Sequence, residues 1–78
     1  MSNPLKNIPL KTFRQFLTHQ GLKCIRQSGG HEIWSRHDLT RPVPLQSHID
    51  PVPEFIVKTI LKTIKATKED YIDFLRNG

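Results

Sequence analysis

The run Leu22-Lys23-Cys24-Ile25-Arg26-Gln27-Ser28-Gly29-Gly30-His31-Glu32-Ile33-Trp34-Ser35-Arg36 sets two extended segments on either side of a glycine pair. Residues 22–27 alternate, with Leu22, Cys24 and Arg26 on one face and Lys23 and Ile25 on the other, which predicts a strand. Ser28-Gly29-Gly30 is a strong turn signal, because paired glycines permit the positive φ of tight hairpins. A second strand follows over residues 31–36, with Ile33 and Trp34 as its large apolar residues, and a turn over 38–40. The third strand spans residues 41–46. Pro42 and Pro44 cannot donate to a ladder, which places that strand at an edge or in irregular pairing.

Upstream, Leu10, Phe13, Phe16 and Leu17 recur at helical spacing, with Lys11, Arg14 and Gln15 on the opposite side. Pro9 suits the first turn, Gly21 the stop, and residues 1–8 read as a loose lead-in. Downstream, residues 47–52 form a loop held by Pro51 and Pro53, with Asp50 as a cap for the next helix. That helix carries Ile56, Ile60, Leu61 and Ile64 on one face and a basic stripe of Lys58, Lys62 and Lys65. Thr67-Lys68-Glu69-Asp70 has the form of a capping box with Asp in place of Glu, opening a short last helix docked by Tyr71, Phe74 and Leu75. The expected fold is α+β in one domain: helix, three-stranded antiparallel sheet, helix, short helix.

At 78 residues there is no room for a second core. A chain this short buries only about 60% of its unfolded surface. Hydrophobic residues at 36% against 24% charged fit a folded domain rather than a disordered tail. Twelve Lys and Arg against seven Asp and Glu give +5, a potential that attracts polyanions, whether RNA, DNA or an acidic protein. A single cysteine, Cys24, excludes an internal disulfide framework and points to a reducing cytosol. The polar, proline-interrupted first ten residues do not read as a secretory signal, and no apolar run reaches the roughly 20 residues of a membrane span. A cytoplasmic location is expected.

Chemistry concentrates at Arg26-Gln27-Ser28-Gly29-Gly30-His31. The turn brings His31 to the start of a strand, exposed and aimed by the ladder behind it. RNA carries its own nucleophile, the 2′-OH, so its cleavage needs a base for that proton, an acid for the leaving oxygen and positive charge for the phosphorane. Histidine as a residue type serves both proton-transfer roles near neutrality. Arg26 and the N–H groups of Gly29 and Gly30 are candidate phosphate contacts, with Lys58 and Lys62 as a further phosphate track. By spacing alone the signal is weak: a histidine after a glycine pair is more often a polar turn residue, and such a lysine stripe is commonly a solvated helix face. His48, in the loop after the third strand, is either a second group near the same end of the sheet or a locally bonded polar residue. His19 is read as favouring the negative end of its helix, and His37 as facing solvent. No metal is expected, since no pair has His-x-x-x-His or Cys-x-x-Cys spacing. No cofactor is expected either. Cys24 reads as a small buried hydrophobe, and Phe13 and Trp34 as core.

From Gly21-Leu22, Arg26 and Gly29-Gly30-His31 onward, the sequence resembles the HicA-type toxins of prokaryotic toxin–antitoxin pairs. The resemblance runs from about Leu10 to Leu75. It includes the proline-bearing third strand, the helix around Thr59-Ile60-Leu61-Lys62 and the Lys68-Glu69-Asp70-Tyr71 ending. It implies a fold similar to the double-stranded-RNA-binding domain, metal-independent endoribonuclease cleavage of messenger RNA with His31 as the catalytic residue, and a HicB-type antitoxin protein as partner. Two departures stand out. Gly30 replaces the serine usual before the histidine, and Gln46 stands where Pro-x-His is frequent, with a histidine arriving only at His48. Gln46 and His48 are thus the two candidates for an auxiliary group. The rival expectations are a non-catalytic RNA-binding module and a protein-interaction domain. Double-stranded-RNA binders usually open their last large helix with basic residues, whereas this chain has Pro51-Val52-Pro53-Glu54-Phe55.

Overall fold

A computed structural model describes residues 4–77. The order is α1 (Leu10–His19), β1 (Lys23–Ser28), β2 (His31–Ser35), β3 (Val43–Gln46), α2 (Glu54–Thr63) and α3 (Lys68–Asn77). The three strands form one antiparallel sheet in the order β1-β2-β3, so the proline-bearing β3 is an edge strand as its missing donors require.

Alternation along β2 and β3 decides which face is covered. Glu32, Trp34, Val43 and Leu45 are buried, while His31, Pro44 and Gln46 are exposed. Against the covered face pack Phe13, Phe16 and Leu17 of α1, Val57, Ile60 and Leu61 of α2, and Tyr71 and Phe74 of α3, in one cluster. Val57, wholly buried, belongs to the α2 stripe beside the residues that periodicity selected, whereas Ile56 is only partly covered. Phe16 meets Tyr71 and Phe74 edge-on at 5.1 and 5.5 Å between ring centroids, which docks α3. Burial pushes the Tyr71 hydroxyl up from 10.0. Leu75, expected to help dock α3, is instead 53% exposed. The helix is as long as the other two, at ten residues.

Both N- and C-terminal helix signals are realised, with one reassignment. Thr67 Oγ1 accepts from the Asp70 amide at 3.1 Å, and an Asp70 carboxylate oxygen accepts from the Thr67 amide at 2.8 Å, which is the reciprocal capping box. Asp50 does not cap α2, whose N-cap is Pro53 with no side-chain bond. Its Oδ1 accepts from the Leu10 amide at 3.0 Å, so it caps α1 across forty residues of chain. The lead-in is not loose where it is described. Ile8 bridges Val52 and, with Leu5, lies in the core, because the chain just before α1 closes over the loop just before α2. Residues 1–3 of that lead-in lie outside the described residues.

Helices α1 and α2 end alike. Leu22 and Gly21 donate back to Leu17 and Thr18, and Ala66 and Lys65 donate back to Leu61 and Lys62. The residue after the cap takes φ 88° at Gly21 but φ 58° at Lys65, a conformation costly to any residue with a Cβ. Lys65 therefore stands past the helix and leaves the lysine stripe with two members. Two modest stability effects follow. Lys65→Gly raises stability by about 0.5–1 kcal/mol by relieving the left-handed strain. Asp50→Ala lowers it by about 1 kcal/mol, since an α1 amide loses its partner. Thermal melts check both, at about 4–8 °C per kcal/mol for a domain of this size.

Candidate functional site

The glycine hairpin closes in two residues, with Ser28 opposite His31. Gly29 takes φ 58° while Gly30 is not in the positive region, the arrangement in which a leading glycine lets the turn follow the strand twist. Register then places the side chains. His31 pairs with Ser28 on one side and with Gln46 on the other. Directly opposed residues have Cβ atoms about 4.5–5.5 Å apart, so the Gln46 amide and the His31 imidazole are neighbours on the bare face. Arg26 pairs with Ile33, two residues along β2 from His31. It thus lies on the diagonal from His31, at about 7–8 Å, within reach of a long side chain. All three are exposed.

The alternation expected in β1 is broken. A bulge between Cys24 and Arg26 puts Cys24 opposite Trp34 and Arg26 opposite Ile33, which face opposite ways. Cys24 and Arg26 therefore do not share a face. Nor is Cys24 buried: the strand is exposed throughout, and the thiol lies 3.5 Å from the Arg26 carbonyl across the bulge. The cause is tertiary, since β1 is an edge strand overhanging the helical layer.

His48 packs on the turn itself. Its Nδ1 is 3.3 Å from the Gly30 carbonyl, which also accepts from the Ser47 amide at 2.8 Å. A carbonyl only accepts, so in this contact Nδ1 carries a hydrogen and donates it. A Cβ at position 30 would lie 2.6 Å from that Nδ1. A side chain at position 30 would push the exposed His48 ring off the turn.

Lys58 and Lys62 stand on α2, in the helical layer that covers the other side of the sheet from the His31 face. Lys58 pairs with Glu54 at 3.0 Å, and Lys62 lies near the C-terminal end of α2. That end meets Arg36, just beyond the end of β2 opposite to His31. His19 closes α1 with its ring 5.3 Å from that of Phe74, and His37 is exposed. Phe13 and Trp34 are core, as their residue types suggested. Among the described residues, no three of His, Cys, Asp and Glu gather as a metal-holding group.

Two charged clusters escaped the reading of the sequence. Glu32, 7% exposed, accepts from Arg14 through both carboxylate oxygens and from Trp34 Nε1 at 3.0 Å. Arg36 donates to the Asp38 carboxylate, to the Gln20 carbonyl at 2.6 Å and to the Ile64 carbonyl at 3.1 Å. The signal for the first was a lone Glu at an inward position of β2. The second had no local signal.

These features define a small two-layer α+β protein with a bare sheet face bearing an exposed histidine and an arginine. Compared with known proteins, the chain matches no family model, no curated protein and no solved structure.

Proposed function

We propose that the protein is a metal-independent endoribonuclease acting on messenger RNA in the cytoplasm, a toxin of HicA type neutralised by a HicB-type antitoxin protein. The fold is read as a variant of the double-stranded-RNA-binding domain. The observation that carries the reading is an imidazole at the first position of β2, projecting from an uncovered basic sheet face with Arg26 on its diagonal and Gln46 opposite.

In the proposed reaction the 2′-oxygen attacks the adjacent phosphorus while the P–O5′ bond breaks. His31 takes the 2′-OH proton or supplies one to the departing 5′-oxygen, and solvent water carries the other transfer, so one proton leaves O2′ and one reaches O5′. Arg26 pairs with non-bridging oxygens as charge builds on them, and Gln46 donates from its amide across the strand pair. The products are a 2′,3′-cyclic phosphate and a 5′-hydroxyl, with no water consumed in this step. Incubating the purified protein with an RNA transcript in EDTA tests the reading. Cleavage at undiminished rate that leaves 5′-hydroxyl ends is expected. An intact transcript, or fragments made only when divalent ions are restored, overturns it.

The rival of a non-catalytic double-stranded-RNA binder has less support. Helix α2 opens on Pro53, Glu54 and a 69% exposed Phe55, a poor lining for phosphates.

A further inference from the structure

At the end of the sheet away from His31, a groove of about 340 Å³ is lined by Gly21, Lys23, Ile25, Ser35, Arg36 and His37. That volume is at the low end of the roughly 300–1,000 Å³ of small-ligand sites, room for one nucleoside rather than a folded partner. The groove lies on the same face as His31, because Ser35 follows His31 and Ile33 along the alternation of β2 and pairs with Lys23. Ile25, the bulged residue, is 62% exposed and supplies an apolar wall. His37 adds a flat ring of the kind on which bases stack.

The strand residues on this face carry positive charge only. Of the seven carboxylates, Glu32 points inward, Asp50 is bonded to α1, and Glu54, Glu69, Asp70 and Asp73 lie on α2 and α3. Asp38, in the turn beside the groove, is held by Arg36. Lys23 and Arg26 thus stand on a strand with no acidic residue, between the groove and His31.

We propose that this groove is a base-binding subsite for single-stranded RNA, with the strand running along the bare sheet face from His31 to Ile25 and Lys23. The proposal rests on the ribonuclease reading for its direction but adds a substrate class and a specificity element. Four residue steps along β2 cover about 13 Å at roughly 3.3 Å each. The rise of a duplex strand, about 3.4 Å per nucleotide, is a lower limit for a strand lying extended, so at most about four nucleotides cover that span; a hexanucleotide reaches both sites and a dinucleotide held at His31 falls short.

Binding of 2′-O-methyl oligonucleotides, which lack the nucleophile, separates this subsite from catalysis. Fluorescence anisotropy should show the hexanucleotide binding at least about tenfold tighter than the dinucleotide, as one added base stack provides. Ile25→Ser and His37→Ala should each remove most of that gain. Lys23→Gln should lower the salt slope of hexanucleotide binding by about one. Equal affinity for the two lengths overturns the proposal, as does a hexanucleotide affinity unchanged by all three variants. Failure of the ribonuclease reading shows separately, as an intact natural transcript with hexanucleotide binding retained.

Discussion

His31→Ala is expected to slow RNA cleavage by about 10²–10⁴-fold, the usual contribution of one positioned general acid or base. That range corresponds to about 3–5 kcal/mol of activation barrier. The fold should be unaffected, because the ring is exposed and its replacement leaves the ladder intact; such surface changes stay within about 0.5 kcal/mol. Circular dichroism and a thermal melt of the variant establish that first, and initial rates on a transcript follow. In cells, induction of the wild type should arrest growth and that of the variant should not. Gln46→Ala is expected to cost about tenfold, the worth of one hydrogen bond, since Gln46 stands directly across from the imidazole. His48→Ala should cost less, as His48 touches the turn backbone rather than a pairing partner of His31. A His31→Ala protein cleaving at the wild-type rate would remove the basis of the nuclease reading.

Arg36→Ala is expected to lower stability by about 2–4 kcal/mol, because its hydrogen bonds involve a charged donor. The guanidinium gathers the C-cap carbonyls of α1 and α2, Gln20 and Ile64, at the end of β2. It places positive charge where both helix dipoles are negative. Its side chain is 18% exposed, so water replaces it poorly. A domain of this length has only about 4–12 kcal/mol in total, and the melting temperature should fall by roughly 10–30 °C. Arg36→Lys, which keeps the charge but not the fork, should fall between wild type and alanine. A melting temperature within about 2 °C of wild type for Arg36→Ala would refute the clamp.

Asp38 gives the clamp a pH signature. The hydrogen bond from Arg36 holds the Asp38 carboxyl below the usual 3.8. A carboxyl depressed in the folded state stabilises above its unfolded value and ceases to as pH falls through the folded one. The Arg36–Asp38 contribution is therefore complete at neutral pH and is lost only below about pH 4.

What the residues determined by themselves is local. Hydrophobic period, the glycine pair and the Thr67–Asp70 box each act over a few neighbours, so α1, α2, α3, the hairpin and the edge position of β3 are legible from single windows of sequence. The same locality made His31 conspicuous, since a two-residue turn fixes the first residue of the next strand. The tertiary structure decided everything that joins distant segments. Asp50 caps α1 because the loop before α2 folds back onto the chain before α1, and no window of a few residues contains both. Arg36 finds Gln20 and Ile64 only because α1 and α2 finish at the same end of the sheet. The bulge at Ile25 reverses half of β1 because register is set by the partner strand rather than by the strand's own alternation. Lys62 is carried to the Arg36 end of the sheet for a similar reason: helical spacing fixes which face a residue shares, but not where that face is carried.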